Sequence, residues 1–117
     1  MKIIKNKFIP FKGFSAMNFF GVIFQRVDCK ISNATINHEA IHNAQALDFM
    51  LSKFGYILFY LWYFIEWLLK LIPCLLLQKH AYKSISFEQE AYNNERNLDY
   101  LGTRTKFNWL KYVFKLV

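Results

Sequence analysis

Residues 54–77 read FGYILFYLWYFIEWLLKLIPCLLL, an apolar run long enough to cross the hydrocarbon core of a bilayer and interrupted only by Glu66, Lys70 and Pro73. Tyr56, Tyr60, Trp62, Tyr63 and Trp67 within it are of the types that gather at membrane interfaces. The pattern predicts a helix from Phe54 to about Ile72, with Pro73 ending or kinking it. Glu66 and Lys70 stand one helical turn apart, which lowers the cost of burying either charge, and they are expected to serve structure before function. A buried core helix or an oligomer interface is the competing reading of the run.

On its N-terminal side lies His38-Glu39-Ala40-Ile41-His42. On a helix this spacing puts two imidazoles on one face, a turn apart, in the geometry that suits Zn²⁺. Glu39 then projects where it can deprotonate a metal-bound water, the general-base role in peptide hydrolysis. Asn33-Ala34-Thr35 offers capping side chains, and Ile36, Ala40, Ile41, Ala44, Leu47 and Leu51 recur at three- and four-residue spacing, so a helix is expected over about 35–53. Asn37 and Gln45 flank the motif and are read as positioning water or substrate, or simply as polar helix residues.

A two-histidine site needs a third protein ligand and leaves a fourth position open. Downstream, Ser86-Phe87-Glu88-Gln89-Glu90-Ala91-Tyr92-Asn93-Asn94-Glu95 opens a polar helix expected over about 84–101, with acidic residues in its first turns. Glu88, Ala91, Tyr92 and Glu95 share one face. Glu90 competes with Glu88 for the ligand role, but the two lie about 200° apart around the helix and cannot both face the metal; the small Ala91, one turn after Glu88, allows close approach to the histidine helix and favours Glu88.

With these motifs in hand, the chain resembles the gluzincin type of zinc metallopeptidase, and in particular the membrane-associated prenyl-protein endopeptidase-like group, in which His-Glu-x-x-His precedes a Glu-x-x-Ala-Asp helix. The counterpart here is Glu88-Gln89-Glu90-Ala91-Tyr92. It also looks like small bacterial membrane proteins in which His-Glu-x-x-His, an aromatic apolar segment and Phe-Glu-x-Glu-Ala-Tyr follow in order, a likeness covering Asn37 to about Tyr112. The resemblance implies His38, His42 and Glu88 as metal ligands, Glu39 as catalytic base, and a bacterial inner-membrane location. Tyr92 stands where the endopeptidase pattern has an aspartate that orients a ligand histidine; Asp48, Asn93 or Asp99 is expected to substitute, or the site is weaker. For transition-state stabilisation the candidates are Tyr92, Arg96 and His80.

The expected fold is mainly α with some β (α+β), one domain over 1–117. Three helices, about 35–53, 54–72 (within the apolar membrane segment 54–77) and 84–101, are arranged so that the second returns antiparallel and the third runs parallel to the first, bringing Glu88 back to the histidines. Residues 1–30 form a short N-terminal β-hairpin, with strands expected at Lys7–Phe11 and Asn18–Gln25 around Gly13 and Ser15. An edge strand there is able to pair with an extended peptide, although such hairpins more often only cover a core.

Composition points the same way. The 117 residues include thirteen Phe, seven Tyr and three Trp, and the formal charge is +7. Lys2, Lys5, Lys7 and Lys12 precede the apolar run, and Lys79, Lys83, Arg96, Arg104, Lys106, Lys111 and Lys115 follow it, a basic rim suited to anionic lipid and, by the positive-inside rule, to cytoplasmic ends. Nucleic acid is discounted as a partner because no recognition motif or stacking pattern is present. Cys29 and Cys74 are isolated thiols. The function expected is a zinc-dependent, membrane-associated hydrolase acting on a peptide or membrane protein. The alternatives are a non-catalytic metal-stabilised scaffold and a metal-free adaptor.

Overall fold

The computed structural model describes residues 2–7, 16–20, 22–27, 30–49 and 54–117. The protein is mainly helical, with one small sheet. Its elements are strands β1 (Lys2–Asn6), β2 (Ala16–Phe19) and β3 (Val22–Arg26), helices α1 (Asn33–Asp48), α2 (Gly55–Leu76), α3 (Ala81–Ser84), α4 (Ser86–Asn94) and α5 (Tyr100–Thr103), and a 3-10 turn at Asn108–Tyr112.

The sheet has the order β1-β3-β2, with β1 parallel and β2 antiparallel to β3. The stretch Asn18–Gln25, read from sequence as one strand, is divided by a turn, because Phe20 takes a left-handed conformation (φ 51°). A non-glycine residue there costs energy, and its surroundings compensate. Its amide donates to Tyr60 Oη at 3.1 Å, and its ring packs on Tyr56 and Tyr60. The expected strand at Lys7–Phe11 lies, apart from Lys7, outside the described residues, as does Cys29.

Helix α1 starts at Ser32, whose Oγ accepts from the Thr35 amide at 3.1 Å; the cap therefore lies just before the stretch expected to supply it. Its described part ends at Asp48, and the expected extension to Lys53 falls largely outside the described residues.

Helix α2 runs through Pro73 to Leu76 instead of stopping near Ile72. Proline removes one amide and one hydrogen bond, and so close to the end the last turn still closes, with the Leu77 amide donating to the Pro73 carbonyl at 3.0 Å. Gln78 then reverses the chain with φ 56°.

The expected third helix is interrupted. The chain breaks between α3 and α4 at Ile85, and α4 ends at Asn94. Asn37 covers this end: its Nδ2 lies 3.3, 2.9 and 3.0 Å from the carbonyls of Asn94, Glu95 and Asn97 and shares its two hydrogens among them, supplying donors where the helix leaves carbonyls exposed.

Helix α4 also runs antiparallel to α1, not parallel as expected. Asn37 near the start of α1 meets the end of α4, while Gln45 near the end of α1 donates to the carbonyl of Phe87 near the start of α4. Between α2 and α4 the chain turns at Gln78 and breaks again at Ile85. Ala91, fully buried, packs with Ile41 and Tyr100, so the small side chain does lie in the α1–α4 contact.

The main core gathers Ala46, Phe59, Ile85, Phe87 and Trp109, with Phe49 stacked on Trp109 at 5.5 Å. A buried ion pair fastens α4 to α2. Lys70 Nζ lies 2.7 Å from Glu66 Oε2 and also donates to the Ser84 carbonyl. Glu66 accepts from the Ser86 amide and, at 2.6 Å, from Ser86 Oγ, and so caps the start of α4 from another helix.

Candidate metal centre

Helical periodicity places His38 and His42 on the face of α1 that α4 covers, and both are buried. Their Nε2 atoms are 3.1 Å apart and lie 3.0 and 2.9 Å from Glu88 Oε1. A tetrahedral ion about 2.0–2.1 Å from each ligand atom holds those atoms about 3.3 Å apart. The three atoms therefore form a ligand triangle that needs to open by about 0.3 Å.

The outer nitrogens decide what the inner ones can do. His38 Nδ1 faces Glu95 Oε2 at 3.1 Å and His42 Nδ1 faces Gln45 Oε1 at 2.8 Å. Each is an acceptor, so each Nδ1 carries the hydrogen, and each Nε2, directed at the other and at a carboxylate oxygen, either bears a second proton or offers a lone pair. Three such atoms converging in a buried site are held together by a proton on an imidazole or, in its place, by a metal cation. Tyr63 Oη donates to the second Glu88 oxygen at 3.3 Å, leaving Oε1 for the inner face.

Buried charge gives a second measure. Between α1 and α4, Asp48, Glu88 and Glu90 carry three negative charges against the single positive charge of Arg104, an excess of two. A divalent ion would balance it, as would protons on the two imidazoles. The donor set of two imidazoles and one carboxylate fits zinc and also suits neighbouring divalent transition metals.

Protons compete for the same place. Burial alone lowers the His42 pKa, but the Glu88 carboxylate outweighs it, helped by Glu39 and Gln45, and the group is pushed up to about 9. Burial alone raises the Glu88 pKa, but the charge of His42 and hydrogen bonds from both imidazoles hold it well below the usual carboxylate range.

For metal-stripped protein the signs follow by linkage. A raised histidine stabilises fully below its ordinary 6.5 and loses that contribution as pH rises through about 9. A depressed carboxylate stabilises above its ordinary 4.5 and loses that contribution in acid. Thermal midpoints of chelator-treated protein are expected to peak between about pH 4.5 and 6.5 and to fall by several degrees toward pH 9. Zinc-loaded protein is expected to lose this decline, because the metal replaces the proton. A flat profile for stripped protein contradicts the assignment.

The residues expected to serve catalysis are placed unequally. Glu39 is half-buried beside His38, and its charge is felt at His42 and at Tyr92. The Tyr92 ring meets His38 edge-on at 4.6 Å while 40% of the residue is exposed, which puts it at the rim. Arg96 is exposed in the turn after α4 and His80 is exposed at the start of α3; neither belongs to the cluster. Glu90 belongs to a different network, bonded to Arg104, Tyr100 and Gln45.

The histidine partners differ from those expected. Asp48 is taken by Arg104, through contacts of 3.1 and 2.7 Å, and Asn93 and Asp99 are exposed. Glu95 and Gln45 hold the rings instead. Tyr63 and Tyr82 were not anticipated near Glu88; the Tyr82 pKa is raised, chiefly by burial and then by the Glu88 charge. Glu95 carries a sequence signal, since it lies two turns after Glu88 on the same face.

No protein-family model, curated protein or solved structure matches this chain, and the assignment of its chemistry rests on its own side chains.

Proposed function

We propose that this protein is a membrane-associated, zinc-dependent hydrolase of the gluzincin type, cleaving peptide bonds with His38, His42 and Glu88 as metal ligands. One observation carries this reading: two Nε2 atoms and a carboxylate oxygen converge in a buried site while both Nδ1 atoms are turned to outer acceptors. Zinc held there supplies Lewis-acid polarisation of a carbonyl and acidifies a water.

The chain's own residues do the rest. Glu39 accepts the water proton and returns it to the leaving amine. Tyr92, at the rim, donates a hydrogen bond to the substrate carbonyl oxygen as negative charge develops on it. Its pKa is raised, first by burial and then by Glu88, Glu95 and Glu39, so the phenol keeps its proton at neutral pH. Glu95 and Gln45 hold the imidazoles in the tautomer that can ligate.

The membrane half of the proposal rests on α2, which is inverted relative to a soluble helix. Its charged residues, Glu66 and Lys70, face the protein, whereas Leu61, Phe64, Leu68, Leu69, Ile72 and Leu76 face outward. Its 22 residues extend about 33 Å, the thickness of a hydrocarbon core. Replacing Leu69 and Ile72 together by Asp is expected to move the protein from liposome-bound to free fractions in flotation. Unchanged flotation with anionic and neutral vesicles removes lipid as the occupant of this face.

The reaction is tested by incubating zinc-loaded protein in detergent with a peptide library and reading new termini by mass spectrometry, beside His42→Ala. Chelator-sensitive cleavage by the wild type alone is expected. Tightly held zinc with no cleavage of peptides or membrane-protein fragments points instead to a metal-stabilised scaffold.

A further inference from the structure

The two histidines are held outwardly by unlike partners. Glu95 is a carboxylate and can only accept from His38, whatever its orientation. Gln45 is an amide, and turned over it would present NH₂ to His42 and force the proton onto the inner nitrogen. Something must keep it from turning.

We propose that Arg104, Glu90 and Gln45 form a positioning relay that fixes the tautomer of His42 and thereby sets metal affinity from a place that touches neither metal nor substrate. The inference deepens the metal-centre reading and rests on it. Gln45 is fully buried, and its Nε2 donates to the Phe87 carbonyl and to Glu90 Oε1, both at 2.9 Å. Neither partner can donate, so the flipped amide sets oxygen against oxygen twice and leaves buried acceptors unmet. The upright amide presents Oε1 to His42 Nδ1, which must then carry the hydrogen.

Glu90 can play this part only if it is held in place with its oxygens turned to accept. It is fully buried, and Arg104 grips it at 2.6 Å through Nε and 3.1 Å through Nη2. Tyr100 Oη donates to it at 2.6 Å, and since Asn108 Nδ2 donates to that same hydroxyl, the Tyr100 proton is committed to Glu90. On its other side Arg104 is clamped by Asp48, which also accepts from the Phe107 amide. The segment after α4 thus reaches back to the second histidine of the motif through three side chains.

Glu90→Gln is the variant of choice, because Arg104 keeps Asp48 as its counter-charge while the new amide offers Gln45 either a donor or an acceptor. Long-range ¹H–¹⁵N ring correlations of chelator-treated protein in alkaline buffer distinguish the two neutral tautomers of each histidine. In wild type both rings are expected as Nδ1–H. In Glu90→Gln, His42 is expected to populate the Nε2–H form while His38 stays unchanged, and zinc affinity by chelator competition to fall roughly ten- to a hundredfold. Arg104→Lys, which keeps the charge but loses the fork, is expected to shift His42 the same way if Glu90→Gln does not fold.

A folded variant in which His42 remains Nδ1–H and zinc affinity is within twofold of wild type overturns the relay and leaves the metal centre standing. Wild type that binds no zinc removes the metal centre, and the tautomer measurement still decides whether the relay acts on His42.

Discussion

Glu39→Gln is expected to lower turnover by roughly 10²–10⁴-fold while leaving zinc in place. The substitution keeps the size of the side chain and removes its ability to take a proton. Glu39 is not one of the three convergent ligands, so the metal should stay. Its charge does contribute to the field at His42, so a modest loss of zinc affinity is consistent. Zinc content by elemental analysis and cleavage by mass spectrometry, on the same preparation, separate the two roles. Loss of zinc together with activity makes Glu39 a ligand or a structural group, and unchanged turnover places the base elsewhere.

The largest expected effect on stability is at Glu66. Glu66→Ala strands Lys70 as a buried, unpaired charge and takes acceptors from the Ser86 amide, Ser86 Oγ and Trp62 Nε1. Breaking a buried pair from one side costs about 3–5 kcal/mol, a large part of the stability of a domain this size. Because Ser86 begins the helix that carries Glu88, zinc affinity should fall with it. The double variant Glu66→Met, Lys70→Met is expected to recover more than half of the loss, since no lone charge is left. Denaturation midpoints in detergent measure both. A single variant costing under about 1 kcal/mol contradicts the assigned role.

The elements nearest the site were legible where a single period governs them. His38 and His42 recur at helical spacing beside a regular apolar stripe, and Glu88 shares a face with Ala91, whose small side chain the α1–α4 contact uses. The run around Phe59 and Glu66 reads as a helix on any scale, and Glu66 and Lys70 read as a structural pair.

What was not legible depends on distant residues. Between α2 and α4 the chain turns at Gln78 and breaks at Ile85, and neither residue is of a type that announces a turn. Asn37 covers the end of α4 from across the interface, at a sequence distance no local pattern can register. Arg104 reads as one more cation of a basic rim, yet its side chain is buried between Asp48 and Glu90. Gln45 reads as an ordinary polar helix residue because its amide acquires meaning only once Glu90 and His42 lie on either side of it.

His38, His42 and Glu88 are proposed to hold a metal. Elemental mass spectrometry of detergent-purified wild type beside Glu88→Ala tests it directly. One zinc per wild-type chain, and none in a folded Glu88→Ala, is the expected result. Wild type that takes up no metal after reconstitution with zinc in non-chelating buffer, or Glu88→Ala that retains it in full, contradicts the claim.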